Sequence, residues 1–179
     1  MARFSNIAFT DFEMSGLDPL KHEIIEFGLV VADASSLEII SEMDRKVRME
    51  KPGAANAESL KFAGYREEDW HDAISIHEAL EEYSKLVDGA MFAAWNTPFD
   101  WTFLAQAYRA ANIKNPLDYH TLDIFGVAYE KLRDNRELKE LKLSEICKYF
   151  GIEKEPKPHR ALNGARKVYE VYKKLRELH

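Results

Sequence analysis

The sequence predicts an α/β protein in three layers, built on a mixed five-stranded sheet with an N-terminal antiparallel meander flanked by helices. Three observations lead there. Residues 7–17 open as an apolar run of strand character, and the strand patterns at residues 23–31 and 37–49 are joined by a short Asp33-Ala34-Ser35-Ser36 link. That spacing makes an antiparallel hairpin. Residues 90–95 form a continuous apolar run of strand length, as expected for a strand covered on both faces. Helical and extended patterns then alternate, which calls for helices on both sides of the sheet.

The elements follow in order. Asp18-Pro19-Leu20-Lys21-His22 reads as a turn, and Lys51-Pro52-Gly53 ends the sheet run. Residues 56–62 give a short helix stopped by Gly64-Tyr65. In residues 76–87, Ile76, Leu80, Tyr83 and Val87 share one stripe before Asp88-Gly89 terminates the helix. Asn96-Thr97-Pro98 opens a helix through about Ala111, with proline at a tolerated first-turn position. Residues 117–122 supply a fifth strand, followed by a helix to about Leu132, and the charged stretch 133–140 is an exposed loop or helix extension. Residues 143–150 form a helix closed by Gly151, and 153–158 are a polar linker. The last helix carries a stripe at Ala161, Ala165, Val168, Tyr172 and Leu175, spaced to pack on the sheet. With no internal repeat or low-complexity tract, residues 1–179 read as a single domain.

Composition bounds the setting. A chain of 179 residues buries roughly two-thirds of its unfolded surface. Its hydrophobic share of 46% and charged share of 31% are ordinary for a soluble globular protein. The apolar runs fall far short of the roughly 18 residues that cross a bilayer, and residues 1–6 lack the pattern of a signal peptide. The lone Cys147 excludes an internal disulfide, fits a reducing, cytoplasmic setting, and reads as a buried, inert thiol. The net charge of −6 is uneven: residues 1–130 carry 11 Lys+Arg against 23 Asp+Glu, and residues 131–179 carry 14 against 8. A basic C-terminal third suits phosphate contacts, although solvated helix faces explain most of these residues.

Three stretches bear chemistry. Asp11 and Glu13 lie two apart in an extended segment, so both carboxylates project to one side. Like charges so placed call for a cation between them, and hard oxygen donors suit Mg²⁺ or Mn²⁺ rather than zinc. A solvated edge strand is the plain alternative. Ser15-Gly16 breaks the strand and allows close backbone approach to a ligand. In Asn96-Thr97-Pro98-Phe99-Asp100, the acid occupies a helix first turn at the C-terminal end of a strand, where open sheets place ligands. Taken alone, Asp100 is a plain first-turn carboxylate and Phe99 a core ring. His159 stands at the mouth of the last helix after two prolines, a stiff approach that presents a potential general base. His22, His71, His77, His120 and His179 read as ordinary surface histidines.

Together these stretches resemble the DEDDh family of 3′–5′ exonucleases, which includes polymerase proofreading subunits and oligoribonucleases. The matching residues are Asp11-Phe12-Glu13 with Ser15-Gly16-Leu17, Asn96-Thr97-Pro98-Phe99-Asp100, and His159, Ala161, Leu162 and Ala165. Glu23-Ile24-Ile25-Glu26-Phe27-Gly28 and His120-Thr121-Leu122-Asp123 are similar as well. The resemblance implies a ribonuclease-H-like fold and metal-dependent removal of nucleotides from a 3′ end. It also implies two Mg²⁺ or Mn²⁺ ions held by Asp11, Glu13 and Asp100, with His159 deprotonating the attacking water. Leu17 and Phe99 would wedge or contact terminal bases, and Asn96 and the backbone of Met14, Ser15 and Gly16 would meet the terminal nucleotide. The expected partners are single-stranded nucleic acid or short oligonucleotides with a free 3′ end.

One position departs from the family. Gly164 stands where its fourth acid belongs, and Asn163 beside it is turned by about 100° on a helix and carries no charge. Weaker metal binding and impaired catalysis are therefore expected. An introduced substitution, a natural degeneration, and a site completed by water or another acid are equally compatible with the glycine. The alternative function is a non-catalytic module of the same fold that binds single-stranded nucleic acid or a protein partner. DNA and RNA are not distinguished, nor is the oligomeric state.

Overall fold

The computed structural model describes residues 4–153 and 159–178. Its sheet has the order β3-β2-β1-β4-β5, with β1 (Asn6–Met14) in the centre. β2 (Ile24–Asp33) runs antiparallel to β1, and β3 (Ile39–Lys46) antiparallel to β2. β4 (Met91–Ala94) and β5 (Thr121–Asp123) continue the other side in parallel. This is the mixed five-stranded sheet with a meander that the sequence predicts.

The pleat of β1 sorts its residues between two cores. Ala8, Phe12 and Met14 pack with α2 (Ile76–Val87) and α3 (Thr97–Ala111). Ile7 and Phe9 pack with α4 (Ile124–Leu132), α5 (Leu143–Tyr149) and α6 (Ala161–Glu177). Asp11 and Glu13 continue the second set, so β1 aims them at the α6 layer. Helices start where caps permit. Asn56 accepts from the Ser59 N–H at the head of α1 (Ala57–Phe62), and Ser75 and Glu78 form a capping box on α2.

The edges of elements depart from the sequence patterns. The third strand is shorter than residues 37–49 because Leu37 adopts φ 59° in the turn and is buried there. The fifth strand shifts from residues 117–122 to Thr121–Asp123. Asn115 and Asp118 capture the N–H groups of Leu117 and His120 with their side chains, which commits the start of that stretch to turns. A 3₁₀ turn at Glu67–Trp70 was not foreseen; it buries Trp70, whose indole N–H donates to the Ile25 carbonyl at 3.0 Å. Residues 133–140 form a loop, with Leu138 packed on the α6-side core. The expected linker at 153–158, with Pro156 and Pro158, falls outside the described residues from position 154 on. Among the described residues no helix is long and apolar enough to cross a membrane.

Candidate active site

The site forms where β1 outlasts its neighbour. Pairing of β1 with β4 ends at Phe9↔Ala93, so the edge of β1 beyond it lacks a strand partner on that side. α3 starts three residues after β4 and fills the gap: the Phe12 N–H donates to Asp100 Oδ1 at 3.3 Å. Asp100 thus reaches the β1 edge from the layer opposite α6, level with Asp11 and Glu13. It is only 4% exposed, and burial pushes its pKa up to about 7, with the Phe12 N–H and its own backbone offsetting part of that cost. The favourable first-turn charge expected from the helix dipole is outweighed by lost hydration. Glu13 is 7% exposed and Asp11 is partly exposed.

The aim of Asp100 is fixed by Asn96, Thr97 and Asp123. Asn96 takes the left-handed conformation, φ 62° and ψ 54°, which asparagine tolerates better than most residues. The next residue, Thr97, is buried and donates its hydroxyl to the Ala94 and Leu122 carbonyls at 3.1 and 2.9 Å. Its N–H donates to Asp123 Oδ1 at 3.0 Å, while Asp123 Oδ2 accepts from Gly126 at the head of α4. One carboxylate therefore holds the starts of two helices. The only sequence signal for it was its place in the His120-Thr121-Leu122-Asp123 stretch.

The expected nucleotide-facing residues divide. Ser15 is buried and structural: its N–H donates to the Glu23 carbonyl and its hydroxyl accepts from the Glu23 N–H. Met14 is 7% exposed, with its side chain in the core, so it offers mainly backbone. The space a Cβ would take at Gly16 is filled by the His22 ring, which accepts from the Asp18 N–H at 2.9 Å. The glycine thus serves the loop's own packing. Leu17 is 75% exposed at the tip of this loop. Asn96 and Phe99 line a cleft of about 330 Å³ with Pro19, Pro98, Thr102 and Phe103. A second cleft of about 260 Å³ shares Pro19 and Phe103 with it.

His159 enters beside α6 with its ring stacked on Phe62, centroids 4.4 Å apart and planes 13° apart. On the next turn, Gly164 lies directly against Asp11: a Cβ built there would run into the Asp11 carboxylate. The position at which the sequence resemblance expects a fourth acid therefore faces Asp11. An aspartate at 164 requires the Asp11 side chain to swing away, an adjustment available to the end of a flexible side chain. Gly28 plays a different part, because a Cβ there would meet the Ala161 and Leu162 backbone. The sequence patterns also missed Glu26, which is fully buried, faces α6 and lies directly opposite Glu13. Its signal was a lone charge inside an apolar run. Burial raises its pKa to about 7, against the pull of Arg160.

Several basic residues of the C-terminal third are engaged with the chain's own acids, as in Arg166–Glu42, Lys167–Glu170 and Lys174–Glu177. Among the described residues no three acid, His or Cys side chains already converge closely enough to hold an ion. The donor set nonetheless fits a hard divalent cation. Asp11, Glu13 and Asp100 offer only carboxylate oxygens, and a buried Asp100 that resists ionisation gains most from a positive neighbour.

Comparison with known proteins gives the family and the fold. A family described as exonuclease matches residues 8–172. A PolC-type DNA polymerase III from Caldanaerobacter subterraneus subsp. tengcongensis is 27% identical over 167 residues, 93% of this chain and 11% of that protein. The 3′–5′ exonuclease DinG from Staphylococcus saprophyticus is 27% identical over 149 residues, 81% of this chain and 15% of the relative. The chain thus spans a small fraction of these curated relatives. Among solved structures, the nuclease domain of 3′hExo, a DEDDh family member bound to rAMP, superposes with a TM-score of 0.79 at 18% identity. That likeness covers 98% of this chain and 94% of the other. E. coli Exonuclease I in complex with a dA16 oligonucleotide gives a TM-score of 0.82 at 15% identity, covering 98% and 41% respectively. These likenesses show the fold, a three-layer ribonuclease-H-like α/β architecture.

Proposed function

The chain belongs to the exonuclease family, and from that premise we propose that it hydrolyses phosphodiester bonds one nucleotide at a time from the 3′ end of single-stranded nucleic acid or short oligonucleotides. The observation that carries this reading is Asp100 accepting from the Phe12 N–H between Asp11 and Glu13, which brings an acid of the α3 layer to the strand that carries the other two. Mg²⁺ or Mn²⁺ held there by Asp11, Glu13 and Asp100, two ions in the family pattern, would supply Lewis-acid stabilisation of the attacking and leaving oxygens.

The chain's own residues do the rest. His159, on its Phe62 platform, takes the proton from the attacking water. Asn96 and Phe99 receive the terminal nucleotide in their cleft, and exposed Leu17 separates it from the next base. Gly164 leaves Asp11 without a facing acid, so turnover is slow in the chain as it stands.

The test is mononucleotide release from 3′-labelled single-stranded DNA and RNA with Mn²⁺, for the wild-type chain and for Gly164→Asp. Stepwise products from at least one, faster by about tenfold or more in Gly164→Asp, are expected, since tenfold corresponds to 1.36 kcal/mol of barrier. Two folded but inert proteins, or cleavage of a circular substrate, would overturn the reading.

A further inference from the structure

The mechanism above leaves a fully buried acid unused beside its general base. Glu26 lies on β2 directly across from Glu13, with its side chain on the α6 face of the sheet. Among the described residues, no hydrogen bond of ordinary geometry closes on either of its oxygens. The charged groups around it are Arg160, whose Nη1 stands 3.8 Å from Oε2, Lys46 and Asp44 on β3, and Glu13 across the ladder. The Ala161 N–H also favours its charged form.

This places Glu26 at the beginning of α6, which has no cap of its own. Its N-cap residue is Arg160, whose side chain makes no capping hydrogen bond, and the first turn holds no acid. Unpaired N–H groups at a helix start attract a carboxylate, and here it comes from another element. Two residues along β2, Gly28 brings the Ala161 and Leu162 backbone down onto the strand. Arg160 completes the joint, with its guanidinium 5.2 Å from the Trp70 ring and its Nη1 donating to the Ala63 carbonyl at 3.2 Å. Ala63 follows Phe62, the ring stacked on His159. Among the described residues, the Arg160 contacts and the packing at the start of α6 both hold the backbone beside His159. A buried ion pair is a poor way to gain stability, since an apolar pair of similar volume often does as well. Its geometric specificity is what the site uses.

We propose that Glu26 is a positioning residue for His159, a buried strut that fixes the head of α6 through Arg160 and the Ala161 N–H. The proposal rests on His159 being the general base of the exonuclease reading. Removing the charge of Glu26 while keeping its shape leaves the sheet intact and loosens the imidazole from its place.

The experiment compares Glu26→Gln, Arg160→Gln and the double variant in the Gly164→Asp chain. Amide exchange and the His159 ring resonance are followed in chelator, and kcat and KM are measured with a single-stranded oligonucleotide and Mn²⁺. Exchange at position 164, Ala165 and Arg166 should quicken at least tenfold with α2 unchanged, and the His159 resonance should shift or broaden. kcat should fall at least tenfold with KM within twofold, and the double variant should be no worse than the poorer single one. If Glu26→Gln fails to fold, the partly exposed Arg160→Gln carries the same expectations. Unchanged exchange and resonance would overturn the strut, as would quickened exchange throughout the protein or a loss seen only in KM. If the parent chain is inert, the exonuclease reading fails alone, because exchange and resonance in chelator still decide the strut.

Discussion

At the scale of single residues, Asp100 carries the sharpest conflict between stability and chemistry. It is buried to 4% exposure, and its carboxyl is pushed up to about 7 by lost hydration. Asp100→Asn keeps an oxygen for the Phe12 N–H but removes the charge. On the proposed metal-holding role, losing this carboxylate forfeits several kcal/mol of transition-state stabilisation, so kcat should drop about 100-fold or more. In chelator at pH 8 the variant should melt no lower than the parent, which calorimetry checks. An ordinary structural aspartate would show the reverse, a lower melting temperature with activity kept. Gly164 is the complementary case: its missing side chain lets Asp11 occupy the space the fourth acid needs.

At the scale of elements, the site depends on where helices begin. α3 is aimed by Thr97 and Asp123, and the same Asp123 caps α4. Asp123→Ala removes both caps, and at about 1 kcal/mol each the loss in urea denaturation should be about 2 kcal/mol. Because α3 carries Asp100, activity should fall with it, more in kcat than in KM. A purely local cap would lower stability and leave kcat alone. α6 begins by another route, with Glu26 and Gly28 of β2 receiving its first turn.

At the scale of the whole molecule, burial of two acids sets the pH response. Asp100 and Glu26 both titrate near 7 in the folded chain, raised by burial from ordinary values near 4. Between these limits the folded state holds protons that the unfolded state has released, so stability falls as pH rises from about 4 to about 7 and levels off above. Arg160, Lys46 and the Ala161 N–H moderate the cost at Glu26, while Asp44 adds to it. At 1.36 kcal/mol per pKa unit, the combined loss is on the order of 5–10 kcal/mol. The lowered acids Asp18, Asp33, Glu42 and Glu78 act in the opposite sense, at more acid pH. Urea denaturation in chelator at pH 5.5 and pH 8 should therefore show the protein less stable at pH 8. Mn²⁺ should recover part of the difference by favouring ionised Asp100. Equal stability at the two pH values would refute this account.

What the sequence determined by itself is what the geometry of one element dictates. The two-residue period of a strand puts Asp11 and Glu13 on one face, and the three-to-four spacing of Ala161, Ala165, Val168 and Leu175 gives α6 its buried stripe. The same local logic places Asp100 in the first turn of α3 and His159 at the mouth of α6. The tertiary structure decided which residues meet across the chain. It set Glu26 beside Arg160, Phe62 against His159, Asp123 under Thr97, and the bare Cα of Gly164 against Asp11. Burial and electrostatic neighbours are properties of packed layers, and no period within one segment encodes them.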